Sequence, residues 1–187
     1  MKSVRNQGSR LSRVTRRLKA IRLIDESFLK APGKYILQSL LAVSAMMIIL
    51  HFLGFLTRAA IVAALGSSTF IVFTMPNSVS AQPKRLIGGH VVGLLCGLLG
   101  YYIFVGGPLG ERFENTERIL WFAMALSIGL SVFLMTITNT EHPPAAGTAI
   151  GIVAYDWSEQ TIIFVVIFAI SLSIVKRLLS RFLVDLV

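Results

Sequence analysis

The stretch Thr138-Asn139-Thr140-Glu141-His142-Pro143-Pro144-Ala145-Ala146-Gly147-Thr148 decides how the rest of the chain is read. It sets a carboxylate, an imidazole and several hydroxyls beside two prolines, between segments apolar enough to lie in lipid. Polar groups are costly at membrane depth, so an insert of this kind lines a cavity or a permeation path rather than facing acyl chains. Proline favours the first position of a helix and drives the preceding residue out of helical geometry, which predicts a helix from Pro143 or Pro144 to about Tyr155. The prolines bring no N–H, so those of Ala145 and Ala146 are expected to point back at the insert. The positive end of this helix would then favour an anion beside His142.

Composition fixes the setting. Of 187 residues, 55% are hydrophobic and 14% charged, whereas soluble domains carry roughly 25% charged residues. The protein is therefore read as a membrane protein. Its net charge is +9, and ten of the 18 Lys and Arg fall in the first 34 residues. Such a bias marks a cytoplasmic N-terminus in an inner membrane, with the C-terminus on the same side because Lys176, Arg177 and Arg181 follow the last apolar run. Leu11, Val14, Leu18, Ile21, Ile24 and Phe28 recur at helical spacing among cations. Residues 1–34 thus read as a basic amphipathic arm on anionic lipid. Nucleic acid is not an expected partner, because the remaining chain offers no soluble core to present the arm. No small-residue cleavage site precedes the first span, so no cleavable leader is expected. Cys96 lies in an apolar run and reads as packing.

The spans follow in order. Tyr35–Leu56 is long enough to cross a hydrocarbon core, and Pro32-Gly33 is expected to end the amphipathic helix before it. Ala59–Met75 is expected to break at Gly66-Ser67-Ser68-Thr69 and to close at Pro76. Leu86–Val105 carries Gly89, Gly93 and Gly97 on one face, a pattern for close helix approach, with His90 beside it. An acidic loop with Glu111, Glu114 and Glu117 leads to a span from Ile119 to Ile137. The insert and its short helix come next, then an acidic turn with Asp156, Trp157 and Glu159, and a last span from Thr161 to Val175.

A shift of 81 residues aligns Thr57 with Thr138, Ala64 with Ala145, Gly66 with Gly147, Ile71 with Ile152 and Val72 with Val153. The expected fold is all-α: a polytopic membrane bundle of two three-helix repeats, about 35–105 and 119–180, with interrupted or re-entrant middle helices. Crossing middle helices would make the repeats inverted, and re-entrant ones would make them parallel. Either way the expected binding site is where the two middle elements meet.

Leu65-Gly66-Ser67-Ser68-Thr69, Ala81-Gln82-Pro83, Ile87-Gly88-Gly89-His90 and the Thr138 to Thr148 block resemble recurring blocks of the HPP family of small integral membrane proteins. The family takes its name from the His-Pro-Pro standing here as His142-Pro143-Pro144. The resemblance covers about residues 35–180 and implies a four-helix-type membrane fold and, from plant organellar members, transport of nitrite.

Nitrite is a small planar monovalent anion that needs N–H and O–H donors. Candidate binding residues are His142, Thr140, Thr148, Gly66, Ser67, Ser68, Thr69, His90 and Asn139, with Lys84 and Arg85 concentrating anions at one mouth. Glu141 opposes an anion unless a cation or histidine pairs with it. No enzyme activity, cofactor or metal is expected, because no metal cluster or nucleophile with an oriented base is legible. A non-transporting scaffold is the alternative, and it predicts that the middle elements pack dry. The small chain and its long glycine face imply a homo-oligomer.

Overall fold

A computed structural model describes residues 26–53, 59–112, 117–155 and 157–187. The expected lipid-binding arm, residues 1–34, lies outside the described residues except for residues 26–34. The regular elements are helices: α1 (Glu26–Lys30), α2 (Pro32–Leu53), α3 (Ala59–Thr74), a 3-10 turn (Val79–Ala81), α4 (Pro83–Phe104), α5 (Pro108–Arg112), α6 (Glu117–Thr138), α7 (Pro144–Ala154) and α8 (Glu159–Leu179). Pro32 and Gly33 belong to α2, which Pro32 opens, since a first helical residue needs no N–H bond. Of the described helices, α4, α6 and α8 are long and apolar enough to cross a membrane.

The chain divides into a small unit ending at Ile36, which includes Leu186, and a bundle from Leu37 to Asp185. Within the small unit, the rings of Phe28 and Tyr35 meet edge to face at 5.4 Å. The Tyr35 hydroxyl donates to the Leu186 carbonyl at 2.6 Å.

Polar contacts gather one end of the bundle. Gln38 Nε2 donates to the carbonyls of Phe73 and Val184 at 2.5 and 2.9 Å. The Asn77 amide donates to Asp185 at 3.0 Å. Lys176 Nζ donates to the Ala81 carbonyl at 2.8 Å, and Arg85 pairs with Glu141. Aromatic pairs hold the other end, Tyr102 with Trp157 at 5.6 Å and Phe104 with Phe122 at 5.3 Å. Successive long helices therefore alternate in direction. Lys84, Arg85 and Lys176 share the first end, which we call the basic end.

Lipid tails are as apolar as leucine, so helices in a bilayer associate through close packing and internal hydrogen bonds rather than through the hydrophobic effect. The short helix α7 uses both. Along α4, a methyl group added at Gly89 would stand 2.6 Å from the Cβ of His142, and one at Gly97 would stand 2.8 Å from the Ala149 carbonyl oxygen. At Gly93 it would collide with the Ala145 carbonyl. The glycine face is thus the seat of α7, and self-association has to use another surface. On its other side α7 lies antiparallel to α3, with Gly147 against Ala64 and Gly151 against Ile61.

One expectation is overturned. α3 runs unbroken through Gly66-Ser67-Ser68-Thr69. Ser67 and Thr69 turn their hydroxyls onto the carbonyls four residues back, those of Ala63 and Leu65, at 2.9 and 3.0 Å, and the Ser68 hydroxyl has the Ala64 carbonyl within reach at 3.0 Å. A hydroxyl that satisfies itself on its own helix needs no break. What sets α3 and α7 apart is length. With 16 and 11 residues, they are about 24 and 16 Å long at 1.5 Å per residue, against a hydrocarbon core of about 30 Å.

Candidate functional site

The polar residues of the three packed helices α3, α4 and α7 meet at one junction. Ser68 Oγ lies 3.0 Å from His90 Nε2 and 2.9 Å from His142 Nε2. His90 Nδ1 faces the Thr148 hydroxyl at 2.8 Å, and His142 Nδ1 faces the Ser80 carbonyl oxygen at 2.9 Å. The two rings are tilted with centroids 5.2 Å apart. Ser68, His90, His142 and Thr148 each have 0% of their surface exposed. In such surroundings an unpaired polar atom is costly, and here both nitrogens of both rings face oxygen partners.

Local chemistry explains why these side chains converge. α6 ends in a Schellman motif: Asn139 takes a left-handed φ of 57° and the Thr140 amide donates to the Met135 carbonyl at 2.9 Å. The chain then re-enters the bundle against Gly88 and Gly89, which lack the side chains that would block Thr140 and His142. Arg85 holds this insert from outside by pairing with Glu141 and donating to the Asn139 side chain. The expected opposition of Glu141 to an anion is thereby offset. The Ala145 and Ala146 amides point back at the insert but reach only its backbone. They donate to the carbonyls of His142 and Pro143 at 2.9 and 3.1 Å, closing the first turn of α7 on itself. Those donors are therefore already engaged.

The sequence-expected residues separate into two groups. Ser68, His90, His142 and Thr148 form the buried network, with Thr140 buried in the wall beside it and bonded to Thr138 at 2.8 Å. Gly66 and Ser67 instead line an open groove of about 760 Å³ with Ala63, Phe70, Ile71, Met75, Pro143 and Pro144. Thr69 is buried on the same helix. Lys84 is exposed at the basic end, whereas Arg85 and Asn139 brace the insert. Ser80 was not singled out by sequence, and no spacing rule links it to His142, 62 residues away. Among the described residues no three His, Cys, Asp or Glu side chains converge as metal ligands do.

Span-length apolar helices alternating in direction around a buried polar network define a multi-pass helical membrane protein. The family model for the HPP transmembrane region matches residues 29–184, and the chain belongs to that family. Two transmembrane proteins of Dictyostelium discoideum are similar to it. One is 32% identical over 90 residues, which cover 48% of this chain and 28% of the relative. The other is 28% identical over 90 residues, covering 48% and 26%. The matched region thus spans about a quarter of these relatives' length. No solved structure matches the chain.

Proposed function

We propose that this protein carries a small inorganic anion, nitrite in the first instance, across a bacterial-type inner membrane through the junction of α3, α4 and α7. The observation that supports this reading is the convergence of Ser68, His90, His142 and Thr148 between two short helices. Dense N–H and O–H donors inside an apolar bundle suit a small anion and serve no acyl chain. The two short helices run antiparallel, which fits inverted repeats whose middle elements meet at the transport site. On this reading the basic end faces the cytoplasm, with Lys84 raising the local anion concentration. The amphipathic arm binds anionic lipid, and a second copy packs on a face other than the glycine seat.

All four network residues are sealed from solvent, so an anion reaches them only when α3 and α7 part. The open groove edged by Ser67, Pro143 and Pro144 runs along that seam. The same sealing supports the second reading, a scaffold whose polar network only locks the fold. The test is nitrite uptake into proteoliposomes. Transport requires uptake above that of empty vesicles, reduced at least tenfold by His142→Ala. Uptake equal to empty vesicles would leave the scaffold.

A further inference from the structure

We propose that the chain of groups Thr148, His90, Ser68, His142 and Ser80 takes up one proton with each anion, making the protein a proton–anion symporter; this rests on the transport reading above. A carbonyl oxygen only accepts, and the Ser80 carbonyl, 2.9 Å from His142 Nδ1, is a closer partner than the Ser80 hydroxyl at 3.4 Å, so Nδ1 carries a hydrogen. A neutral His142 then presents a lone pair at Nε2, and the Ser68 hydroxyl 2.9 Å away is the donor that fills it. Ser68 has a single hydrogen. His90 Nε2 must therefore donate to Ser68 Oγ, and His90 Nδ1 must accept from Thr148. One arrangement satisfies both neutral rings, and in it the rings are opposite tautomers.

The same geometry accommodates one more proton. With a hydrogen on each nitrogen of His142, both Nε2–H groups point at Ser68 Oγ, which has two lone pairs to receive them. The Ser68 hydrogen swings to the Ala64 carbonyl, which stands ready at 3.0 Å. No donor or acceptor is orphaned in either state. In the step, an O–H bond of hydronium breaks, an N–H bond forms at His142 Nε2, and water leaves. A second proton on His90 would set two cations 5.2 Å apart, disfavoured on the order of a hundredfold at an effective dielectric of about 20. The capacity is one.

Coupling follows from burial. α3, α7 and the turn from Met75 to Gln82 carry no titratable side chain facing the rings. α4 contributes Lys84, exposed at its start, and Arg85, which is paired with Glu141 of the insert. On α6, Glu117 and Arg118 sit at the opposite end, and α8 places Lys176 on the Ala81 carbonyl. Among the described residues, therefore, no free carboxylate balances an imidazolium at His142. Resealing the junction around that cation alone is unfavourable, as is resealing it around an anion alone. Resealing around both is not, and His142 Nε2 meets water only through the opening that admits the anion. Proton and anion therefore enter together, with no net charge moved.

The test uses full-length protein in proteoliposomes, with empty vesicles reporting passive nitrous acid. With voltage clamped at zero by potassium and valinomycin, an external medium one pH unit more acid should drive accumulation to about tenfold, and voltage alone should drive none. Nitrite that follows voltage and ignores the pH gradient overturns the symport while leaving transport standing. No protein-dependent movement under either gradient overturns the transport reading and the symport with it. As a second measurement, nitrogen-15 NMR of histidine-labelled wild type should find the Nδ1–H tautomer at His142 and the Nε2–H tautomer at His90. The same tautomer at both rings overturns the relay.

Discussion

Ser68→Ala tests the junction most sharply, because one hydroxyl serves two buried rings. Its removal leaves His90 Nε2–H without an acceptor and His142 Nε2 without a donor. Ala64 keeps its helical partner, so two atoms are orphaned rather than three. Full desolvation of an unpaired group is worth about 1–3 kcal/mol, or about 2–6 for two. Side-chain bonds between helices in bilayers average about 0.6 kcal/mol, because the unfolded chain also finds partners, giving about 1 for two. Both rings are fully buried, so the expected loss lies between these limits, at about 2–4 kcal/mol. Ser67→Ala is the matched control. It removes the same atoms from an exposed hydroxyl bonded only within its own helix, and the expected change is within about 0.5 kcal/mol. Reversible unfolding in mixed micelles of dodecyl maltoside and sodium dodecyl sulfate measures both. Equal midpoints for the two variants would refute the claim that Ser68 bridges the rings.

The glycine seat predicts opposite signs for one substitution at two sites. Gly93→Ala, whose new methyl meets the Ala145 carbonyl, should destabilise by about 1–3 kcal/mol, whereas Gly129→Ala, with nothing within 4 Å of the added atom, should be neutral or stabilise by up to about 1 kcal/mol. Gln38→Leu removes both bonds to Val184 and should leave the tail after Leu179 open to carboxypeptidase, read by mass spectrometry; an uncut tail would contradict its anchoring role. Lys84→Cys should react with a membrane-impermeant maleimide only from the cytoplasmic face and Glu111→Cys only from outside, and labelling of both from one face would contradict the alternating path of the helices.

Much of this was legible in the sequence. The prolines and the stretch from them to Tyr155 announced α7, and the glycine spacing announced a close helix approach but not that α7 is the helix seated there, because proline stereochemistry and backbone approach are local properties while the choice of partner is not. Gly66-Ser67-Ser68-Thr69 misled, since the residue types that break helices in water are the ones that fold their hydroxyls back onto a helix when no water competes. The donors of Ala145 and Ala146 do point back at the insert, but the sequence does not show that the first turn of α7 engages them on the His142 and Pro143 carbonyls. The pairing of Ser68 with two histidines 22 and 74 residues away, and the role of Ser80, depend on how three helices stack. Periodicity says which face a residue is on, not which partner it meets.

Transport as proposed requires the junction of α3, α4 and α7 to be a passage. The most direct measurement is counterflow: vesicles loaded with unlabelled nitrite, diluted into a trace of nitrogen-15 nitrite with no pH or voltage gradient, and assayed for transient internal accumulation of label. The wild-type chain is predicted to accumulate label saturably, and a Ser68→Ala protein that keeps its helix content is predicted not to. Wild-type vesicles that gain label no faster than empty ones would contradict the account.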